Sequence, residues 1–411
     1  MNQASANSSG ARPQNGGRRP IEGVRVLDLS RVMSGPYCSS MLADLGADVV
    51  KVEMPGRGDE GRAFGPYRDG ESTYFMMLNR DKKSVTIDMK TPEGLELVRR
   101  LAKTADVLLE NFRPGVMDRL GLGYEAVCAI NPSIVYASIS GFGQEGPLRD
   151  LPAFDLVIQA MSGLMSLTGP RGGPATAVGE SVADVATGMF AAFGIVAALF
   201  QRTQTGEGQH LDVSMLDSLM AMQLTGLSRQ LHFGDTPKPV GNRHPVTYPV
   251  DSFPTATGDV VMVCFSDAAF RGLGKAMGRP GLADDPRFRT NADRNRHEGE
   301  LRELISGWTG GLPAEEVLAA LRDAGIPAAP VWDLATLAAS EHVAARGLVA
   351  EGRHARFGAV PLVRQPVKFS AAPADAAPTT PLLGEHTEAV LAGELGLDAA
   401  EIAALRAKAV I

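Results

Sequence analysis

The strongest constraint on the fold is a regular alternation of short apolar segments and helical segments that begins at Val24. VRVLDLS has the pattern of a buried strand, GPYCSSMLADLGA that of a helix, and DVVKVE that of a second strand. Further strands are predicted at SVTIDMK, DVLLENF and SIVYASISGFG. Strands that alternate with helices form βαβ units, whose parallel sheet is covered on both faces. The predicted fold class is therefore α/β.

Two helices have informative sequences. One begins at Thr91, a suitable N-cap, and Pro92 occupies its first position; Leu95, Val98, Leu101 and Ala105 then recur on one face. The other, within 181–201, is apolar almost all round and rich in Ala and Gly, which predicts burial and close packing. The pattern loosens around 225–245, where Gly and Pro accumulate before a hairpin signal at TATGDVV and the helix PAEEVLAALRDAG.

Composition excludes several classes of protein. The 411 residues carry a net charge of −7, which provides no bulk attraction to nucleic acid. No uninterrupted apolar run reaches the roughly 18 residues of a membrane span. The first twenty residues contain three arginines, no acid and no apolar core, so a disordered tail is favoured over a signal or transit peptide. Cys38, Cys128 and Cys264 form neither a disulfide framework nor a zinc motif, and a cytoplasmic location is expected.

The common cofactor motifs do not match. The loop DLSRVMSGPYC has one glycine where the dinucleotide fingerprint needs three, although Glu53 ends the second strand near the position of a ribose-binding acid. None of the seven histidines has metal-ligand spacing, and only His244, in GNRHP, is a candidate neighbour of a site. We therefore expect neither a metal nor a redox cofactor.

Three charged residues remain as candidates. Arg113 follows a predicted strand and Arg119 lies one to two turns later, so both stand where α/β proteins bind ligands. They either hold a phosphorylated ligand or form a solvated edge. Asp184 is a lone carboxylate in the first turn of the apolar helix. It either stabilises the helix dipole, worth at most about 1 kcal/mol, or acts as a nucleophile. The residues alone leave both choices open.

Long segments resemble one known family. VLDLSRVMSGPYCSSMLADLGADVVKVE, the stretch from DMKTPEGLE to DRLGLGYE, FDLVIQAMSGLMSLTG and DVATGMFAAFGIVAALFQRTQTGEGQ are similar to the class III coenzyme A transferases, as is the C-terminal PLLGEHTEAVL. The resemblance covers nearly the whole chain after the tail. It implies a large Rossmann-like domain of 21–225 and 330–411, an inserted small α+β domain of 240–329 with linkers on either side, a tail of 1–20 and an interlocked homodimer.

The resemblance also implies site residues. Asp184 matches the family's nucleophilic aspartate, and CoA, a carried group, is expected to contact Val32, Met33, Ser34, Asp88, Met89, Lys90, Asn111, Phe112, Arg113, Arg119, Phe154 and Asp155. Met33 and Met54 replace a glutamine and an arginine of the formyl-CoA enzyme, and its glycine-rich loop has no counterpart. These departures argue against formate or oxalate. Succinyl-CoA with a carboxylic acid acceptor is the expected substrate pair.

Two alternatives to a transferase are considered. Related alpha-methylacyl-CoA racemases use a histidine immediately before the aspartate at 155 as one of two bases. Phe154 stands there, and a phenyl ring cannot exchange a proton. A non-catalytic CoA-binding subunit of a heteromeric transferase is the other alternative, and Asp184 argues against it because such a subunit has no need of a nucleophile. The predicted function is CoA transfer between carboxylic acids.

Overall fold

The computed structural model describes residues 17–372 and 376–411, so most of the predicted tail lies outside the described residues. The chain divides into two compact units. Unit 1 comprises Met1–Ser162, Gly179–Gln223 and Arg346–Ile411, and unit 2 comprises Gly163–Val178 and Leu224–Ala345.

The largest sheet belongs to unit 1 and confirms the predicted α/β class. The strands of unit 1 are β1 (Arg25–Asp28), β2 (Asp48–Glu53), β3 (Tyr67–Arg68), β4 (Glu71–Ser72), β5 (Lys82–Thr86), β6 (Val107–Glu110), β7 (Val135–Ser140), β8 (Gln209–Ser214), β12 (Val349–His354), β13 (Gly358–Val363) and β14 (Thr379–Thr380). Six of them form the largest sheet among the described residues, in the order β5-β2-β1-β6-β7-β8, and every neighbouring pair in it is parallel.

Helices cover both faces of this sheet. The helices of unit 1 are α1 (Ser34–Asp44), α2 (Thr73–Leu78), α3 (Pro92–Thr104), α4 (Val116–Arg119), α5 (Tyr124–Ile130), α6 (Asp155–Met161), α8 (Val182–Thr205), α9 (Met215–Met222), α17 (Thr387–Leu395) and α18 (Ala399–Ala407). Successive side chains of a strand point to opposite faces. Accordingly, Val26 packs in one cluster with Leu42 of α1, whereas Leu27 packs in another with Val98 and Leu101 of α3.

Local signals at the helix starts are confirmed. The Thr91 hydroxyl accepts a hydrogen bond from the backbone N–H of Gly94 at 3.0 Å, and Pro92 is the first residue of α3. Asp398 and Glu401 form a reciprocal capping box at the start of α18, within the predicted final helix.

Helix α8 is only half buried in a single chain. Small residues such as Ala183, Ala191 and Gly188 form its buried face, whereas Phe193 and Phe200 are 75% and 67% exposed. The prediction that this helix is buried therefore holds for one face only in a single chain: Ile195 and Leu199 are buried with the small residues, whereas Met189, Phe193 and Phe200 are exposed. By length and composition this helix is apolar enough to cross a membrane, which the search for an uninterrupted apolar run did not indicate.

Unit 2 contains the predicted hairpin. β9 (Val250–Thr255) and β10 (Gly258–Val263) are antiparallel, and β11 (Ala328–Pro330) pairs with β10. The segment 224–233, within the predicted linker region, is helical. The helices of unit 2 are α7 (Leu164–Leu167), α10 (Leu224–Phe233), α11 (Asp267–Ala276), α12 (Asn291–Arg296), α13 (Glu298–Thr309), α14 (Ala314–Asp323), α15 (Leu334–Ala338) and α16 (Glu341–Arg346, whose last residue falls in unit 1).

Candidate active site

A cavity of about 400 Å³ lies at the carboxyl ends of β1, β6 and β7. β1 and β6 are neighbours in the sheet, although β2 and β5 intervene in the chain. The connections therefore leave β1 and β6 in opposite directions, which opens a crevice of the kind where open α/β sheets bind ligands. The lining residues are Arg31, Val32, Met33, Ser34, Glu60, Asn111, Phe112, Arg113, Pro114, Ile139, Ser140, Gly141, Arg149, Leu151, Pro152, Ala153, Phe154, Asp184 and Met215.

Asp184, in the first turn of α8, is a carboxylate that lines this cavity. Burial raises its pKa to about 6, and the charge of Asp155 adds to the increase. The hydroxyl and backbone N–H of Ser34, which favour the ionised form, oppose the increase. The side chain is therefore mostly ionised at pH 7, but it is a stronger base than an ordinary aspartate.

Asp155 holds the start of α8 in place. Its Oδ1 atom accepts hydrogen bonds from the backbone N–H groups of Ala183, at 2.7 Å, and Asp184, at 3.3 Å. Its Oδ2 atom accepts one from the Gln159 side chain at 2.6 Å. Ser181, the residue before α8, makes no side-chain cap, so a carboxylate distant in sequence supplies the capping group. Asp155 is a neighbour of the cavity rather than one of its lining residues.

Asn111, which follows the neighbouring strand β6, fixes the loop after β1 by two hydrogen bonds. The Asn111 side chain accepts a hydrogen bond from the Arg31 N–H at 2.8 Å and donates one to the Arg31 carbonyl at 2.9 Å. The Arg31 guanidinium lies over the Phe112 ring, 4.7 Å from its centroid. Residues 31–34 and 111–113 therefore form one continuous wall.

A second cavity, of about 280 Å³, adjoins the first. It is lined by Met89 and Lys90, by Val116 and Leu120, and by residues at the end of β2 and in the turn that follows, among them Glu53 and Asp59. Arg31 and Phe112 line both cavities. The two cavities together form an extended cleft along the carboxyl edge of the sheet.

The structure brings most of the predicted residues to this cleft. The first cavity contains the predicted residues Val32, Met33, Ser34, Asn111, Phe112, Arg113, Phe154 and Asp184, and the second contains Met89, Lys90 and Phe112. Asp88 instead accepts a hydrogen bond from the Lys90 N–H at 2.9 Å. Arg119, on α4, is exposed and lines neither cavity.

Three charged lining residues were not identified from the sequence. Arg31 and Arg149 add positive charge to the first cavity, and Glu60 pairs with Arg31 at 3.3 Å. Arg31 and Arg149 both follow strands of the parallel sheet, so the rule that ligands bind at the carboxyl ends of strands would have singled them out. Glu60 lies in a 3-10 turn, Glu60–Ala63, which only the tertiary structure brings to the cavity.

The fold and the cleft define an α/β enzyme with a partly buried carboxylate that lines a positively charged crevice. The model of CoA-transferase family III matches residues 21–387. The chain is 40% identical over 380 residues to the succinate–glutarate CoA-transferase of Agrobacterium fabrum, covering 91% of this chain and 95% of the relative. It is 41% identical over 352 residues to the acetyl-CoA:oxalate CoA-transferase of Acetobacter aceti, covering 85% and 89%.

A solved structure supports the same assignment. A CAIB/BAIF family protein from Brucella suis superimposes with a TM-score of 0.83 at 37% identity, covering 92% of this chain and all of that one. The chain belongs to CoA-transferase family III. It is an acyl-CoA:carboxylate CoA-transferase, as the resemblance predicted.

Proposed function

We propose that Asp184 is the covalent nucleophile of this CoA transfer. One of its carboxylate oxygens attacks the thioester carbonyl carbon of the donor, forming an acyl-aspartyl anhydride and releasing the CoA thiolate. The thiolate attacks the aspartyl carbonyl, which expels the donor carboxylate and leaves an aspartyl-CoA thioester. The acceptor carboxylate then attacks the aspartyl carbonyl and displaces the thiolate. Attack of the thiolate on the acyl carbon of this second anhydride forms the product and frees Asp184.

The position and ionisation of Asp184 are the observation that carries this proposal. Among the residues that line the 400 Å³ cavity, the carboxylates are Asp184 and Glu60, and Glu60 is paired with Arg31. Asp184 stands at a helix start, where the dipole favours its ionised form. A pKa of about 6 combines ionisation at neutral pH with raised basicity, which suits a nucleophile.

The extended cleft supports a binding mode for CoA. With the thioester beside Asp184, the phosphates pass Arg31 and Arg113 and the nucleotide enters the cavity lined by Met89 and Lys90. Guanidinium groups suit phosphate because they bind it through paired hydrogen bonds. Trapping the intermediate with hydroxylamine or borohydride, followed by peptide mapping, tests the mechanism: label on Asp184 supports it, and wild-type enzyme that turns over without such label contradicts it.

We propose dicarboxylic acids as the acceptors and succinyl-CoA as the donor. The similarity to a succinate–glutarate transferase supports this choice, and so does Arg149, which can pair with a distal carboxylate in the cavity. A mass-spectrometric screen of succinyl-, acetyl- and formyl-CoA against glutarate, oxalate and monocarboxylates tests it. Preference for a monocarboxylate acceptor would contradict the proposal.

We also propose a homodimer. The exposed apolar face of α8, which includes Met189, Phe193 and Phe200, supports it, because apolar surface of this extent marks an interface. The family resemblance implies the same assembly, in interlocked form. Light scattering during gel filtration measures the mass, and a monomeric mass at micromolar concentration would contradict it.

Activity should fall on the acid side of neutrality. Because the pKa of Asp184 is raised to about 6, the nucleophile becomes protonated as the pH falls through that value. We expect kcat/KM to be nearly constant above pH 7 and to lose roughly tenfold for each pH unit below about pH 5.5. A rate profile with a stable acyl-CoA donor between pH 4.5 and 8.5 measures this. An acid limb near pH 4 would indicate an unperturbed aspartate.

Proton exchange at the α-carbon of an acyl-CoA should be absent. Phe154 lines the cavity and is 72% exposed, so no imidazole stands there to act as the second base. A 2-methylacyl-CoA incubated with the enzyme in deuterated water should take up no more label than in an enzyme-free control, as measured by mass spectrometry. Rapid uptake would favour the racemase.

A further inference from the structure

A group of buried charged residues lies beneath the loop that carries Val32 and Ser34. Its members, which we call the buried ion cluster, are Asp28, Lys51, Glu53, Asp59, Arg62 and Lys82. The side chains of Lys51, Lys82 and Asp28 have no exposed surface. The three cations balance the three anions. Burying these charges costs free energy, and their pairing offsets that cost without adding net stability. A cluster of this kind points to a role in conformational specificity.

Lys51 and Asp59 connect the cluster directly to the loop. The Lys51 ammonium lies 2.8 Å from the Asp59 Oδ2 atom and donates a hydrogen bond to the Ser30 carbonyl, also at 2.8 Å. The other carboxylate oxygen of Asp59 accepts hydrogen bonds from the N–H groups of Val32, at 2.9 Å, and Gly61, at 2.8 Å. One ion pair therefore holds backbone groups on both sides of Arg31.

The loop conformation needs such support. Val32 has φ of +64°, in the left-handed region, where a β-branched side chain is strained. Gly35 lies so close to Ser30 that a Cβ atom there would stand 2.2 Å from the Ser30 Cβ. Strained conformations persist only where the surroundings determine them strongly, and the Lys51–Asp59 pair is part of those surroundings.

The same loop ends at Ser34, beside Asp184. Ser34, two residues after Val32, lines the same cavity as Asp184, and its hydroxyl and backbone N–H act to lower the pKa of that carboxyl. At the next turn of α8, a Cβ atom on Gly188 would lie 2.7 Å from the Ser34 carbonyl, so α1 and α8 are almost in backbone contact. A displacement of the loop would therefore alter the donors at Asp184.

We propose that Lys51 and Asp59 are positioning residues: this buried pair keeps the strained loop in the conformation that directs both Ser34 donors at Asp184. The inference rests on the proposed function, because it gives the Ser34 donors their catalytic meaning. It extends that function to Lys51, which lines neither cavity, and to Asp59, which lines the second cavity and not the one that contains Asp184.

The test is the titration of Asp184 in an Asp59→Asn variant. Asparagine keeps an oxygen for the Val32 N–H but loses the charge that holds Lys51. Hydrogen bonds to the ionised form lower a carboxyl pKa, so their weakening should raise the Asp184 pKa by about one unit. The charged groups that face Asp184 are Asp155, Tyr74 of α2 and, across the cavity, Arg31, Glu60, Arg113 and Arg149, and none is altered. Infrared difference spectra of each protein against its Asp184→Asn form follow this titration without turnover.

Kinetics provide the second measurement. The acid limb of kcat/KM should move up by the same unit, aspartyl adduct should form roughly tenfold more slowly at pH 5.5, and much of the rate should return at pH 8.5. The Kd for a pantetheine thioester, which lacks the nucleotide proposed to enter the second cavity lined by Asp59, should change less than about threefold. Ser34→Ala removes the hydroxyl donor itself. The change in the Asp184 pKa in that variant therefore gives the direction and size with which the Asp59→Asn result is compared.

A matched control separates positioning from stability. Asp44 and Arg80 form another buried ion pair, with an Nε–Oδ1 distance of 3.0 Å, at the far end of α1, about 15 Å from Ser34 along the helix. Asp44→Asn should lower the melting temperature comparably and leave the Asp184 titration unchanged. Should Asp59→Asn not fold, the charge-balanced Lys51→Gln/Asp59→Asn variant takes its place and should show the same shift.

The outcomes are distinct. An unchanged Asp184 titration in folded Asp59→Asn or in the double variant would overturn the positioning role, and so would an equal shift in Asp44→Asn. A wild type that turns over without an Asp184 adduct would contradict the proposed nucleophile instead, while the infrared titration would still report on the loop.

Discussion

Replacing Asp184 with alanine should reduce CoA transfer by roughly a thousandfold or more, which corresponds to about 4 kcal/mol of barrier. The anhydride and the thioester both form on this carboxylate in the proposed mechanism, so its removal leaves no route through a covalent intermediate. The loss should appear in kcat, with CoA binding retained, because in the proposed binding mode the phosphates lie farther along the cleft. Steady-state kinetics and calorimetric titration with CoA measure the two effects.

Asp184→Asn and Asp217→Asn complete this experiment. Asparagine at 184 keeps the size of the side chain and should be as inactive as alanine. Asp217 also lies in the first turn of an apolar helix, α9, but it lines neither cavity. Its substitution therefore removes a negative charge from a helix start without changing the candidate active site. We expect it to retain activity within about twofold. Substantial turnover in Asp184→Ala would refute the covalent mechanism.

Replacing Arg113 with alanine should weaken CoA binding by about 1.5–3 kcal/mol, a loss of roughly 10- to 150-fold in Kd. Arg113 lines the cavity at the strand end after β6, and no ion-pair partner is found for it among residues 17–372 and 376–411. A guanidinium without a protein partner is available to a phosphate. Lysine should restore part of the affinity, because a point charge does not reproduce the paired hydrogen bonds.

Two comparisons make this result specific. Pantetheine thioesters, which lack the nucleotide, should lose little affinity for Arg113→Ala, whereas general destabilisation would weaken both ligands equally. Arg119→Ala provides the second comparison. Arg119 was predicted to bind phosphate as well, but its side chain is exposed outside both cavities, so the loss should be smaller. Equal losses for the two arginines would show that the whole basic edge attracts CoA.

Much of the architecture of unit 1 was predictable because its signals are local. The β1 and β2 segments are rich in valine and leucine, as expected of strands in a buried parallel sheet, and Thr91-Pro92 marks the start of α3 with two adjacent residues. The position of Arg113 after β6 also followed from the strand pattern, because ligand sites in such sheets lie at the carboxyl ends of strands.

The surroundings of Asp184 were not predictable in this way. The sequence places Asp155 twenty-nine residues before Asp184, and no periodicity indicates that its carboxylate caps α8 and raises the pKa of Asp184. Nothing in the sequence indicated that Lys51 and Asp59 are buried, since lysine and aspartate are usually exposed. Their burial results from the packing of β2 and the turn that contains Asp59 against the loop of Ser30 and Val32.

By itself, the sequence determined the fold class, the family and the identity of the candidate nucleophile, because periodicity, capping residues and long matching segments are properties of the chain in order. Only the tertiary structure decided which predicted residues share a cavity, that Asp155 supports α8, and that the phenylalanine face of α8 is exposed in one chain. The physical reason is that burial, electrostatic shifts and cavity shape depend on distances between segments far apart in the chain, which only packing sets.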